Sequence, residues 1–295
     1  MIWLLIACLL WGPSFGLVPV LMGTYGMDSH TLAVLRMFFA LILFLPVFRP
    51  HKYLPRKRLM LTLLGGLQFG VMYLTLFMSY RFMKGYEVAL VTIFTPLYVS
   101  ILDHLLIRKS IRVRSIFCVL LAIVGAGLIR YARVEASSEF WIGFGIMQIC
   151  NLSFALGQIL YRKLMRTTQK LEDMHVYGWL YSGALIVCLA GWLILGDPLP
   201  SLRHLQTLPL PAWGIVLWLG LVPSGLAFFL FNHGALKVDP HTLAIFNNLK
   251  IPVALIIVLL LFGQQSAVEN WLRFSSGTAV MLAALWWNHR PIRMR

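Results

Sequence analysis

Along the chain, runs of about 20 mostly apolar residues alternate with short polar breaks, and each run is long enough to cross the hydrocarbon of a bilayer as a helix. Ten such runs fit, over residues 2–23, 31–48, 59–80, 86–107, 112–131, 141–163, 175–195, 211–235, 240–262 and 269–288. The pattern predicts an all-α integral membrane protein of ten transmembrane helices with no room for a separate soluble domain. The first run lacks a basic leader and a small-residue cleavage site, so it reads as a helix rather than a secretory signal.

Composition agrees with this pattern. Hydrophobic residues make up 60% of the chain and charged ones 12%, with a mean hydropathy of +0.82, so lipid must be part of its solvent. The net charge of +15 invites a nucleic-acid reading, but its distribution excludes one. With the N-terminus inside, 17 of the 25 Lys and Arg residues, including Arg56, Lys57, Arg58, Arg108, Lys109, Arg293 and Arg295, fall on the cytoplasmic side. This is the positive-inside asymmetry, and it predicts cytoplasmic termini and basic loops held against anionic lipid in a multi-pass inner-membrane protein. The cysteines, Cys8, Cys118, Cys150 and Cys188, all fall inside runs without metal-like spacing and read as small buried hydrophobes. No cofactor or metal is expected, and the oligomeric state is left open.

At an offset of 156 residues, Ser79-Tyr80-Arg81 aligns with Ala235-Leu236-Lys237 and Pro96 with Pro252. In both places an apolar run ends in a basic residue, and a proline follows 15 residues later. The shared spacing predicts a duplication, residues 1–135 and 136–295. A five-helix unit ends on the far side of the membrane, so its copy is inverted, an arrangement of secondary transporters with substrate held between the repeats.

Trp11-Gly12-Pro13-Ser14-Phe15-Gly16, Leu32-Ala33-Val34-Leu35-Arg36-Met37-Phe38, Leu64-Gly65-Gly66 and the Pro96 and Pro252 runs resemble the EamA branch of the drug/metabolite transporter superfamily. The resemblance implies two inverted five-helix repeats around a cavity lined mainly by helices 1, 3, 4, 6, 8 and 9. It also implies substrates among amino acids, carboxylates, amines and lipophilic cations, often moved outward. Where many relatives place a glutamate before the second proline, this chain has Asn247-Asn248-Leu249-Lys250-Ile251-Pro252, so no carboxylate role carries over there.

Ionisable groups inside a membrane are costly and invite a reason. Lys250 offers a cavity cation for a carboxylate or phosphate, with Asn247 and Asn248 adding hydrogen bonds. Its alternatives are to satisfy a carbonyl freed by Pro252, to pair with a neighbouring helix, or to act in proton coupling. Asn151 and Gln158 are seven residues apart, hence on one helix face and able to point into the cavity together. Trp11, Phe15, Tyr73 and Tyr98 stand on helices that the resemblance assigns to the cavity, as aromatic walls for an organic substrate. Three residues are gating or coupling candidates. Asp103 reads as an inner gate or an interfacial acid, and His233 as a proton carrier or a loop-bonded imidazole. Arg36 reads first as an arginine that snorkels to the outer interface or ties down a loop.

With no Gly-x-x-x-x-Gly-Lys-Ser/Thr motif for nucleotide and no gathered catalytic cluster, the chain reads as a secondary carrier working by alternating access. The expected cargo is a small organic metabolite, an amino acid, carboxylate or related zwitterion or anion, exported or exchanged. The alternative is an exporter of amines or lipophilic cations.

Overall fold

A computed structural model describes residues 1–108, 114, 117, 120–121, 124–125, 138–167, 173–238, 243, 246–247, 257, 259–260 and 271–289. Every regular element among them is helical. Six helices are long and apolar enough to cross a membrane: α1 (Ile2–Thr24), α2 (Ser29–Val47), α3 (Pro55–Ser79), α5 (Ser138–Thr167), α6 (Met174–Leu195) and α8 (Leu210–Leu236). Between α3 and α5, α4 runs from Gly85 through the segment Thr95–Asp103. The last described element, α9, is Trp271–His289. The runs at 112–131 and 240–262, with Asn248, Lys250 and Pro252, lie largely outside the described residues.

One element was not expected. The connection between α6 and α8 holds a short helix, α7 (Pro198–Thr207), begun by a proline and amphipathic through Leu199, Leu202 and Leu205. At ten residues it is far too short to register as a span. Its His204 Nε2 meets the Tyr25 carbonyl at 2.8 Å, docking α7 on the turn between α1 and α2.

Local sequence explains where helices begin and bend. Asp28 caps α2: its Oδ2 accepts from the His30 and Thr31 amides, each at 3.0 Å, filling donors that a helix start leaves unpaired. Burial opposes ionisation there, but those bonds and the His30 ring, 3.5 Å away, prevail and hold the carboxyl at about 2. In α4 the helix tightens into a 3-10 turn at Thr92–Phe94 immediately before Thr95 and Pro96, because proline cannot donate back to the preceding turn. The α3 and α8 helices each widen into a π-helical stretch, Gly66–Val71 and Gly220–Ala227.

The helices pack in a crossed pairing. α6 lies against α3 and its π-helical stretch and also against α2, which packs in turn on the π-helical stretch of α8. Small residues permit the first contact. A Cβ on Gly183 would fall 1.8 Å from the Thr62 carbonyl oxygen, and one on Gly65 would fall 1.9 Å from that of Leu180. An aromatic seam runs along α6, stacking Phe44 of α2 on Tyr177 and Phe69 of α3 on Tyr181, with ring centroids 4.9 and 5.1 Å apart. Leu5, Leu9, Ile42, Leu63, Ile186 and Leu193 remain exposed on the outside of the helices, where lipid replaces water as the favourable surrounding.

Candidate functional site

Where α1, α3, α4, α5 and α8 converge with α2, they leave a cavity with about 610 Å³ of empty space, counted to its open mouth. One face of α1 supplies Trp11, Ser14, Phe15 and Val18, at the spacing of a single helical stripe. From α3 come Met72, Tyr73, Leu76, Phe77 and Tyr80; from α5, Cys150, Asn151 and Phe154; from α8, Phe228; from α4, Thr92 and Thr95. Among the described residues, the single charged one on this wall is Arg36 of α2.

Arg36 is 2% exposed. It does not snorkel to an interface: its guanidinium turns inward, because the neighbouring helices offer it hydrogen bonds that the lipid cannot. Nε donates to Ser224 Oγ at 2.7 Å and Nη2 to the Tyr73 hydroxyl at 3.0 Å. Ser224 in turn donates to the Tyr73 hydroxyl at 2.9 Å, and the Tyr181 hydroxyl donates to the Ser224 carbonyl. The guanidinium carbon stands 4.6 Å from the Tyr73 ring centre and 5.2 Å from that of Phe77, over both faces.

Arg36 has no carboxylate within ion-pair distance among the described residues. A buried cation in that position is costly, and the cost falls when an anion enters the cavity. Nε and Nη2 are engaged by protein, so Nη1 is the edge still without a hydrogen bond among the described residues. The Tyr73 hydroxyl accepts twice, so its own proton is free to point at a ligand. Together they present a donor pair suited to a carboxylate.

The candidates read from sequence fall into three groups. Trp11, Phe15, Tyr73, Asn151 and Arg36 line the cavity together. Within it, Trp11 Nε1 donates to the Pro223 carbonyl at 3.0 Å, and Asn151 ties α5 to the bend of α4, accepting from Thr95 Oγ1 and donating to the Val91 carbonyl, both at 3.0 Å.

Five more, Asn247 among them, stand off the wall. Tyr98 donates to Gln148 at 3.0 Å, Gln158 accepts from Asn247 at 3.0 Å, Asp103 is buried near the end of α4, and His233 lies between the rings of Trp3 and Phe229. Asn248, Lys250 and Pro252 lie outside the described residues. Ser224 and Tyr80 were missed: neither breaks the apolar pattern, and only their apposition to Arg36 and the cavity marks them.

Residues 1–131 match the EamA-like transporter family. A biotin transporter of Salmonella typhimurium is 34% identical over 294 residues, covering 99% of this chain and 94% of that protein. A biotin transporter of Escherichia coli is 33% identical over the same length. A probable biotin transporter of Pseudomonas aeruginosa is 37% identical over 289 residues, covering 97% of this chain and 96% of its own. A solved crystal structure shares the fold at a TM-score of 0.70 with 16% identity, covering 98% of this chain and 95% of that one.

Proposed function

The chain belongs to the EamA-like transporter family and is a multi-pass inner-membrane transporter, and from that premise we propose that it carries biotin or a closely similar monocarboxylate by alternating access. The observation that carries the reading is Arg36, a buried cation without an acidic partner among the described residues, facing an aromatic cavity between the helices. The names of the relatives supply the candidate acid, and the cavity supplies the chemistry: guanidinium and hydroxyl for the carboxylate, rings for the apolar body. A cationic amine would meet Arg36 as a like charge, which disfavours the alternative cargo.

The same reading takes the fold as ten helices in two inverted repeats, residues 1–135 and 136–295, with both termini cytoplasmic. It is supported by the paired π-helical stretches, since residues 66–71 moved by 156 positions become 222–227, inside Gly220–Ala227. It is supported also by the crossed packing of α6 on α3 and α2 on α8. Tyr73 and Asn151 belong to the site, Asp103 and His233 to the ends that open and close, and Lys250 is a second candidate cation.

Counterflow of labelled biotin in proteoliposomes tests the reading. Uptake that disappears in Arg36→Gln, while the variant inserts and folds and Lys250→Met retains uptake within about threefold, makes Arg36 the carboxylate anchor. Uptake of amines in place of biotin would overturn it. Loading the two faces in turn reads whether flux is outward, inward or an exchange.

A further inference from the structure

A second polar layer lies one helical turn beyond the cavity. Gln68, Gln158, Asn232 and Asn247 are each 0% exposed. Gln68 precedes the cavity residue Met72 by four positions in α3, Gln158 follows Phe154 by four in α5, and Asn232 follows Phe228 by four in α8. Residues four apart share a face, so these three amides sit under residues of the cavity wall, and Asn247 joins them through Gln158. Gln68 and Asn232 meet directly, and Gly157, the neighbour of Gln158 in the chain, lies against Gln68. Gln68 Nε2 donates to Asn232 Oδ1 at 3.2 Å, and the Gln68 side chain lies so close to α5 that a Cβ on Gly157 would meet its Cβ at 2.4 Å. Between this layer and the cavity stands an aromatic floor: the Trp11 ring is 4.7 Å from both Phe228 and Phe231.

The amides form two pairs, Gln68 with Asn232 and Gln158 with Asn247, and each pair spends one donor and one acceptor on itself. Gln68 Oε1, Asn247 Oδ1, Asn232 Nδ2 and Gln158 Nε2 have no hydrogen-bond partner among the described residues. Exchanging O and N within a pair leaves the same remainder, two carbonyls and two NH₂ groups. Interhelical glue needs only the bonds already made, so unpaired buried amides are the costly part of the arrangement.

We propose that this layer is a second substrate subsite, recognising a cyclic urea or an equivalent head with one carbonyl flanked by two N–H groups. The two unpaired NH₂ groups serve the urea oxygen and the two unpaired carbonyls its N–H donors, all by direct hydrogen bonds. The substrate reaches the layer when the aromatic floor parts during alternating access. Arg36 then selects the acid and the amides select the opposite end of the molecule. The inference rests on the carboxylate-carrier reading above.

The test compares labelled biotin, an acid bearing a cyclic urea, with labelled lipoate, a monocarboxylic acid of similar length whose ring carries no urea, in proteoliposomes holding the native chain, Gln158→Leu or Asn232→Leu. The expected result is that half-saturation by biotin rises at least tenfold, or its uptake is lost, while lipoate uptake stays within about twofold. A leucine variant that does not insert is replaced by Gln158→Glu, which retains the acceptor for Asn247 and removes the donor. Equal loss of both acids, or unchanged biotin uptake, would overturn the inference and make the amides structural. Native liposomes that carry neither acid would instead defeat the carboxylate-carrier reading itself.

Discussion

Arg36 Nε donates to Ser224 Oγ at 2.7 Å, joining residues 188 positions apart and linking α2 to the π-helical stretch of α8. The bond holds Arg36, the one charge on the cavity wall among the described residues, across the line where the two proposed repeats meet. Any relative movement of α2 and α8 must break it or carry Arg36 along, which couples the charge of the cargo to the state of the carrier.

Replacing Arg36 by Gln is expected to lower carboxylate uptake at least about 100-fold, since it removes a buried charge from a charged recognition pair. Arg36→Lys recovers only part of that activity. A lysine is a point charge and cannot bridge Ser224 and Tyr73 with separate nitrogens while offering a third to the substrate. Initial rates in proteoliposomes, normalised to inserted protein, measure both.

Tyr73→Phe keeps the ring under the guanidinium and removes the hydroxyl that accepts from Arg36 and Ser224. With a hydrogen bond to a charged group worth about 1.5–3 kcal/mol, half-saturation is expected to rise about tenfold or more while the helices still assemble. Concentration-dependent uptake, with thermal unfolding as the folding control, decides it.

Gly183→Ala is expected to destabilise the protein by about 3 kcal/mol or more, because its new Cβ would fall 1.8 Å from a backbone oxygen of α3 that no side-chain rotation can move. Gly145→Ala meets nothing within 4 Å and serves as the matched control with little change. Thermal unfolding in detergent compares the two.

Asp28→Ala removes the cap of α2 and is expected to cost about 1 kcal/mol near neutral pH. The pH dependence follows from a carboxyl lowered from 3.8 to about 2 in the folded chain. Its contribution is full above the unfolded value and is lost only as pH falls from about 4 towards 2. Unfolding midpoints of native and Asp28→Ala protein should therefore converge across that acidic window and differ above it.

Much of the chain's identity was legible as a pattern. Apolar runs of membrane length, separated by basic breaks, dictate helices in lipid because an unpaired backbone is too costly there. The helices α1, α2, α3, α5, α6 and α8 fall on such runs. Trp11, Phe15 and Tyr73 were expected at the cavity from the family resemblance and Asn151 from its helical face, and all four line it.

What spacing along one helix cannot tell is which face meets which neighbour. Arg36 looked interfacial because its depth in α2 was the only coordinate that the sequence supplied. The tertiary structure turned it into the cavity charge by placing Ser224 and Tyr73 within 3.0 Å of it. Gln158 shared a face with Asn151, yet about two turns of helix carry it from the cavity wall to beneath the floor, where Asn247 meets it at 3.0 Å. The sequence by itself determined a ladder of lipid-compatible helices and a carrier's family. The tertiary structure decided where the charge and the amides stand, because hydrogen bonds between helices depend on rotation and depth, which no single helix encodes.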